Sequence, residues 1–426
     1  MTAEPDPARA TSVGGFVQEL RLLKIWAGDP PLRRLSRDSG LARSTLGDLL
    51  SPRRDRLPSL DLVLRYVGVC GVTGERAAAW RSAWREVHAR DGAGSAAAAE
   101  RAVVPRQLPG GPAHLVGRDR ELALLDRLAD EPGAVVVTGM PGVGKTALAT
   151  AWARQAARDH PNGQLYVNLR GVDPARAPLD PGAVLHGFLV ALDVPPWRIP
   201  PETDARAAVY RSVLASRRVL VVLDNAASVE QVRPLLPASS TCLVTSRVQL
   251  DGLVVGEGAR PLPLDVLTSA AAGLLLSQRL GAGPAAARRV GAGPAAARLV
   301  DRCAGLPLAL TAAAARLAQQ PWLSAAALAA ELRAAPLDAL STDDPATNLR
   351  TSFFLSYRRL TDGAQRLFRL LGTGPEPVIG GAAGRELVRA QLVTGRSPAL
   401  HPLLRCYAAE LARSVEDRPA PVLHVA

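Results

Sequence analysis

The sequence predicts a multidomain chain: an α-helical module, then an α/β domain built on a parallel sheet, then an all-α region to the end. Three observations carry this. From about Gly14 to Arg90 apolar residues recur at helical spacing. From Ala134 to Thr245 short continuous apolar runs alternate with helical stretches, and beyond about Thr268 the strand signal stops. A length of 426 residues fits two to four domains, and 48% hydrophobic residues give each a core to bury.

The first module reads as five short helices, with Phe16, Leu20, Leu23 and Ile25 opening the apolar stripe and Leu60, Val63, Leu64 and Val67 closing it. Within it, residues 31–50 (PLRRLSRDSGLARSTLGDLL) lay out a helix, a turn at Ser39-Gly40-Leu41 and a second helix from near Ala42. This helix-turn-helix layout is similar to DNA-binding domains of the Cro/repressor type, which implies double-stranded DNA as a partner. Arg43, Ser44 and Thr45 stand where such a helix reads base edges, and an arginine there pairs with guanine. Arg33, Arg37, Arg53, Arg54 and Arg56 are candidates to neutralise phosphates. The same residues also fit a helical protein-binding module with solvated arginines.

Residues 91–112 shift to Gly, Ala, Ser and Pro and read as a linker. The α/β domain follows, with apolar runs AVVVT (134–138), QLYVNL (164–169), VLVVL (219–223) and CLVT (242–245). Continuous apolar strands separated by helices belong to a parallel sheet covered on both faces. GAGPAAAR occurs at Gly281–Arg288 and again at Gly291–Arg298, a tandem duplication that lengthens a helical connection.

Gly139-Met-Pro-Gly142-Val-Gly144-Lys145-Thr146, followed by Ala147, matches GxxxxGK[ST] between a strand and a helix. Glycines allow the tight turn that aims successive N–H groups at a phosphate, and the helix start adds partial positive charge. Lys145 supplies a point charge and Thr146 a hydroxyl for Mg²⁺. A second Mg²⁺ group is Asp224, at the end of RVLVVLD, where ligands of open α/β sheets bind; it could equally cap the next helix. Asn225 stands where hydrolytic enzymes often carry a second carboxylate, and an amide cannot take a proton from water. Slow turnover is therefore expected.

The net charge of +12 favours polyanionic partners, but arginine carries it almost alone. Lys24 and Lys145 are the only lysines, as GC-rich coding would give, and the P-loop has kept one of them. Cys70, Cys242, Cys303 and Cys406 lie far apart without CxxC or His at ligand spacing, which speaks against a zinc site or disulfide framework. With no signal-peptide pattern at MTAEPDPARA and no apolar run of about 18 residues, the expected place is the cytoplasm, with no membrane contact.

Taken in order, these motifs resemble the NB-ARC ATPases of the STAND class, from about His114 to about Ala412. Leu115-Val116-Gly-Arg118-Asp-Arg-Glu121 looks like the segment whose backbone and arginine meet adenine and ribose. Thr245-Ser-Arg247 looks like the sensor whose arginine reads the γ-phosphate. Gly305-Leu-Pro307-Leu308 looks like the GLPL motif, with Pro307 against the base. Leu400-His401 looks like the start of the MHD motif, with His401 reaching the β-phosphate of ADP. Singly, Arg118 could be a surface charge, Pro307 a first-turn residue and His401 a core histidine. Pro402 departs from the family's aspartate, and the stretch 372–392 is short for a winged helix.

The resemblance implies residues 14–90 as helix-turn-helix domain, 91–112 as linker, 113–266 as P-loop domain, 267–340 as helical subdomain, 341–415 as winged-helix-like subdomain and 416–426 as tail. It implies an ATP/ADP switch with Mg²⁺, acting at Lys145, Asp224 and Arg247, that forms homo-oligomers in the ATP state and regulates transcription. A stand-alone ATPase and a protein-interaction scaffold are the alternatives.

Overall fold

Residues 5–52, 54, 57–99, 104–111, 115–131, 133–281, 294–374, 379–394 and 399–416 are described by the computed structural model. They fall into two units, Met1–Ala102 and Val103–Ala426.

The first unit holds α1 (Val13–Trp26), α2 (Leu32–Ser39), α3 (Arg43–Leu49), α4 (Leu60–Val69) and α5 (Glu75–Ala99). Ser12 caps α1, its Oγ accepting from Gly15 N at 3.1 Å. Phe16, Leu20, Leu23, Leu35, Leu46, Leu49 and Tyr66 form one core, and the Tyr66 hydroxyl donates to the Leu20 carbonyl at 3.0 Å. The α2–α3 turn rests on Gly40 in the left-handed region (φ 68°). Ser36 Oγ donates to the Leu41 carbonyl at 2.7 Å and so ties the turn back to α2.

Leu46 and Leu49 anchor the inner face of α3, which leaves Arg43 and Ser44 exposed and Thr45 half-buried on its first turn. Arg54 donates to Asp48 at 2.5 Å. Arg53 and Arg56 lie outside the described residues. The linker expectation needs a correction: α5 runs on to Ala99. Alanine is the strongest helix former, and its run in this stretch favours helix over linker.

In the second unit, α6 (Asp119–Ala129) precedes β1 (Gly133–Thr138), α7 (Lys145–Ala156), β2 (Gln164–Asn168), α8 (Pro181–Ala191), α9 (Thr203–Leu214), β3 (Leu220–Ala226), α10 (Val229–Val232), β4 (Thr241–Ser246), α11 (Asp251–Glu257) and β5 (Arg260–Pro263). The sheet order is β2-β3-β4-β1-β5, and every pairing is parallel. Alternate strand residues serve opposite cores: Val135, Val137, Val222 and Leu243 on one face, Ala134, Val136, Val221 and Val244 on the other. This is why the strands read as unbroken apolar runs.

A helical region follows: α12 (Ser269–Leu280), α13 (Pro294–Cys303), α14 (Pro307–Gln319), α15 (Ala325–Ala334) and α16 (Pro336–Ala339). Then come α17 (Leu349–Tyr357), α18 (Asp362–Thr373), α19 (Gly381–Arg389), β6 (Val393–Thr394), β7 (Ala399–Leu400) and α20 (Pro402–Glu416). The expectation of helix alone beyond Thr268 is thus corrected by an antiparallel pair, Val393 opposite Leu400 and Thr394 opposite Ala399. Strands of two residues are too short to show a period. Most of the GAGPAAAR repeat and the end of the tail lie outside the described residues.

Gly305 fixes how the helical region meets the sheet. It sits at φ 68°, and its carbonyl accepts from Leu267 N at 2.9 Å. A Cβ there would lie 2.3 Å from the Leu267 oxygen. Gly187, mid-α8, has open space around its Cβ position. Gly305→Ala should therefore lower unfolding free energy by about 2 kcal/mol or more, while Gly187→Ala should raise it by about 0.5–1 kcal/mol. Urea denaturation of the two variants checks both signs.

Candidate functional site

Parallel strands place their C-terminal ends along one edge, and four of those ends meet around one carboxylate. The loop after β1 turns through Gly139, Gly142 and Gly144, all at positive φ. A side chain at Gly139 would strike the Leu264 carbonyl at 2.5 Å. Gly144 (φ 98°) is the N-cap of α7, so the first-turn N–H groups of Lys145, Thr146 and Ala147 have no partner within the helix and form an anion cradle.

Asp224 is 2% exposed. Thr146 Oγ1 donates to its carboxylate at 2.9 and 3.1 Å to the two oxygens, Thr245 Oγ1 at 2.6 Å, and Tyr166 OH at 3.2 Å. One carboxylate thus joins α7, β2, β3 and β4. Thr146 hydroxyl and Asp224 carboxylate together form the hard-oxygen donor set that Mg²⁺ prefers, so the residues fit that ion.

Lys145 Nζ donates to the carbonyls of Gly139 at 2.7 Å and Met140 at 3.0 Å. Burial lowers its pKa to about 7, with the Arg247 guanidinium lowering it further and Asp224 opposing. Arg247, from the end of β4, is itself lowered to about 10 by burial, again against Asp224. Two cations facing one carboxylate leave the site short of negative charge, a deficit that a polyphosphate would fill.

The cavity over this edge has a volume of about 810 Å³, and its walls include Val116, Arg118, Gly142, Gly144, Lys145, Thr146, Ala147, Asp224, Arg247 and Pro307. Its lining combines the charged Arg118, Lys145, Asp224 and Arg247 with the apolar Leu115, Val116, Leu267, Pro307 and Leu308. Gly139 lies beneath the loop, its carbonyl held by Lys145. Pro307 opens α14, and the next N–H, Leu308, donates to the Gly142 carbonyl at 3.2 Å, which fastens the helical region to the phosphate loop.

Arg118 is no surface charge: it is 5% exposed. It donates to Glu121 at 2.9 Å, to the Val143 carbonyl at 3.1 Å and to the Asp265 carbonyl at 2.7 Å. Its guanidinium clamps the loop to the segment leaving β5.

The resemblance would place His401 at the β-phosphate of ADP. It is not among the residues lining the cavity. Its Nδ1 accepts from Leu403 N at 3.2 Å, so the proton sits on Nε2, which meets the Ala304 carbonyl at 2.9 Å. The ring latches the start of α20 to the loop before Gly305, and that geometry occupies both nitrogens.

Asn225 stands at φ 57°, a region asparagine tolerates, where the β3–β4 register shifts. Its Nδ2 donates to Asn168 Oδ1 at 3.3 Å and the Val172 carbonyl at 3.2 Å, and its Oδ1 accepts from Val172 N at 3.2 Å. The amide braces a loop. Tyr166 and Asn168 escaped the sequence reading, although both belong to a recognised strand, and Asn168 ends it in register with Asp224. That end-of-strand position was the signal available.

Sheet order, phosphate loop and buried aspartate define a P-loop ATPase domain, and residues 128–250 match the AAA domain family. The chain is also 38% identical over 342 residues to Regulatory protein AfsR of Streptomyces griseus, covering 74% of this chain and 34% of that protein. It is 38% identical over 363 residues to Regulatory protein AfsR of Streptomyces coelicolor, covering 77% and 35%. The chain is thus homologous to these regulatory proteins and spans about a third of their length. Among solved structures, a Walker-type ATPase of Pyrococcus abyssi matches with a TM-score of 0.49 at 12% identity, over 71% of this chain and 98% of that one. A STAND protein with a tetratricopeptide repeat sensor from Pyrococcus horikoshii matches with a TM-score of 0.33 at 18% identity, over 72% and 44%. Among the described residues no helix is long and apolar enough to cross a membrane.

Burial lowers the His401 pKa, against the Ala304 hydrogen bond and Asp265. The folded chain therefore holds the neutral ring more strongly than the unfolded chain, whose histidine titrates near about 6.5. This contribution to stability is present above that pH and is lost as pH falls toward the lowered folded value. Urea midpoints of the wild type should drop between pH 7.5 and 5.5, and His401→Gln should flatten that slope. An equal slope in both chains would remove the latch.

Proposed function

We propose that the chain is an adenine-nucleotide switch, taking ATP or ADP with Mg²⁺, that acts as a regulator binding double-stranded DNA through its N-terminal helices. The observation that carries the switch is Arg247. Its guanidinium stands within the electrostatic reach of Lys145 and Asp224, and its Nη1 donates to the Ser352 carbonyl of α17 at 2.9 Å. A γ-phosphate competing for this arginine would loosen α17 from the sheet, whereas ADP would leave the bond intact. That difference in contacts is what shifts a population between states.

Neighbouring bonds would move as a set. Arg359 donates to the Gly171 carbonyl, Arg358 to the Asp173 carbonyl at 2.9 Å, and Gln249 N to the Arg389 carbonyl at 2.9 Å. The NB-ARC resemblance supports this subdomain movement and an ATP-state homo-oligomer. Asn225, tied into its loop, supplies no base, so turnover is slow and the enzyme reading is weaker.

For the N-terminal unit, exposed Arg43 and Ser44 at the start of α3 support base readout. The relatives' name, regulatory protein, agrees with such a role.

Two experiments test the proposal. Lys145→Ala should weaken ADP binding by calorimetry about 100-fold, since a charge-assisted contact to phosphate is lost, and should abolish any ATP-dependent change in mass by light scattering. Unchanged affinity would end the nucleotide reading; equal mass with ATP and ADP in the wild type would end oligomerisation as its output. Arg43→Ala should cost about 1–3 kcal/mol at one base position and relax preference there. Fluorescence anisotropy on a duplex library reads this, and no binding to any duplex at low salt would leave the protein-binding alternative.

A further inference from the structure

A second cavity, of about 530 Å³, lies between the end of β4 and the C-terminal helices. Its wall brings together four arginines: Arg247, Arg359 just after α17, and Arg385 and Arg389, one turn apart on α19. One carboxylate accompanies them, Glu386. Its two oxygens accept from Thr361 N at 2.8 Å and Thr361 Oγ1 at 2.6 Å. Among the described residues the Arg385 and Arg389 side chains have no hydrogen bond or ion pair.

Arginine-rich composition explains exposed guanidiniums on any surface. It does not explain four of them around one concavity whose one carboxylate is already taken by Thr361. Arg385 and Arg389, beside the partly engaged Arg247 and Arg359, are donors that an acceptor with several oxygens would satisfy. A phosphate offers these, and arginine binds it in a bidentate way. The volume suits a small ligand.

We propose that this cavity is a second anion site, separate from the P-loop, that takes a small phosphate-bearing molecule. Arg247 lines both cavities, so an occupant here meets the same guanidinium that faces the nucleotide.

Inorganic pyrophosphate titrated into the full chain by calorimetry is the test, with the P-loop disabled by Lys145→Ala. Saturable binding should persist there, and adding Arg385→Ala with Arg389→Ala should weaken it by about tenfold or more, as two charge-assisted donors go. Both arginines are exposed, so this double variant in the otherwise wild-type chain should keep its melting temperature and its ADP affinity. Binding that vanishes with Lys145→Ala alone, or that ignores the arginine pair, means pyrophosphate uses only the P-loop or a diffuse surface, and overturns the second site. Failure of the nucleotide reading would show separately, as ADP affinity indifferent to Lys145.

Discussion

A carboxylate buried to 2% exposure is costly unless its oxygens are met, and Asp224 meets this demand with three hydroxyls from three elements. Thr146 lies in the first turn of α7, Tyr166 at the middle of β2 and Thr245 next to the end of β4. They converge because every strand pairing in the sheet is parallel, so that strand ends lie on one edge. Slip β4 by one residue and Thr245 turns to the opposite face. The apolar alternation that divides the two cores therefore also sets the geometry of the polar edge. Hydrophobic burial fixes register, register aims the hydroxyls, and the hydroxyls hold the charge that a metal ion would share.

The helical regions are tied to this edge by few bonds of one kind: a donor from one part meets a backbone carbonyl of another. Leu308 N reaches Gly142, Leu267 N reaches Gly305, Arg118 reaches both Val143 and Asp265, and Arg247 reaches Ser352. Each is worth about 1–3 kcal/mol at most, more for the charged donors. Apolar burial gives the larger energy but little direction, since it tolerates small slides. The carbonyl bonds give direction, and several radiate from the phosphate loop or its sensor strand. On the proposed reading, a charge arriving at that loop would be felt at α14 and α17 without any long relay.

Much of this was legible beforehand, and the reasons are specific. Gly139 to Thr146 was readable because its chemistry is local: tight turn, helix start and lysine lie within eight residues. Asp224 was readable because strand ends in an α/β pattern announce the binding edge, and Arg247 through its likeness to a family's sensor motif. Tyr166 was missed because its hydroxyl acquires meaning only when β2 pairs with β3, and the clamp made by Arg118 was missed because its partner Asp265 lies 147 residues away in sequence. The helix through residues 91–99 was hidden by composition, since Ala with Gly and Ser reads as linker while Ala alone reads as helix. The β6–β7 pair was hidden by brevity. His401 was placed by analogy, whereas the Ala304 carbonyl that holds it is invisible without the fold.

Arg247 has the consequence that reaches furthest. It is half-buried, its pKa is pulled down to about 10 by burial, and it borders two cavities while holding the Ser352 carbonyl. A guanidinium has five N–H donors in one plane, so it serves several acceptors only if they suit that plane together. An anion in the second cavity and a γ-phosphate in the first therefore compete for its orientation. Linkage makes the effect reciprocal: whatever factor one ligand imposes on the other's affinity is returned in full. The sign follows from geometry. Drawing Arg247 toward α19 strips positive charge from the P-loop, which relieves Lys145 and leaves less to hold a third phosphate. On the proposed reading, an occupant of the second cavity would favour ADP over ATP at the first, with one arginine carrying that preference.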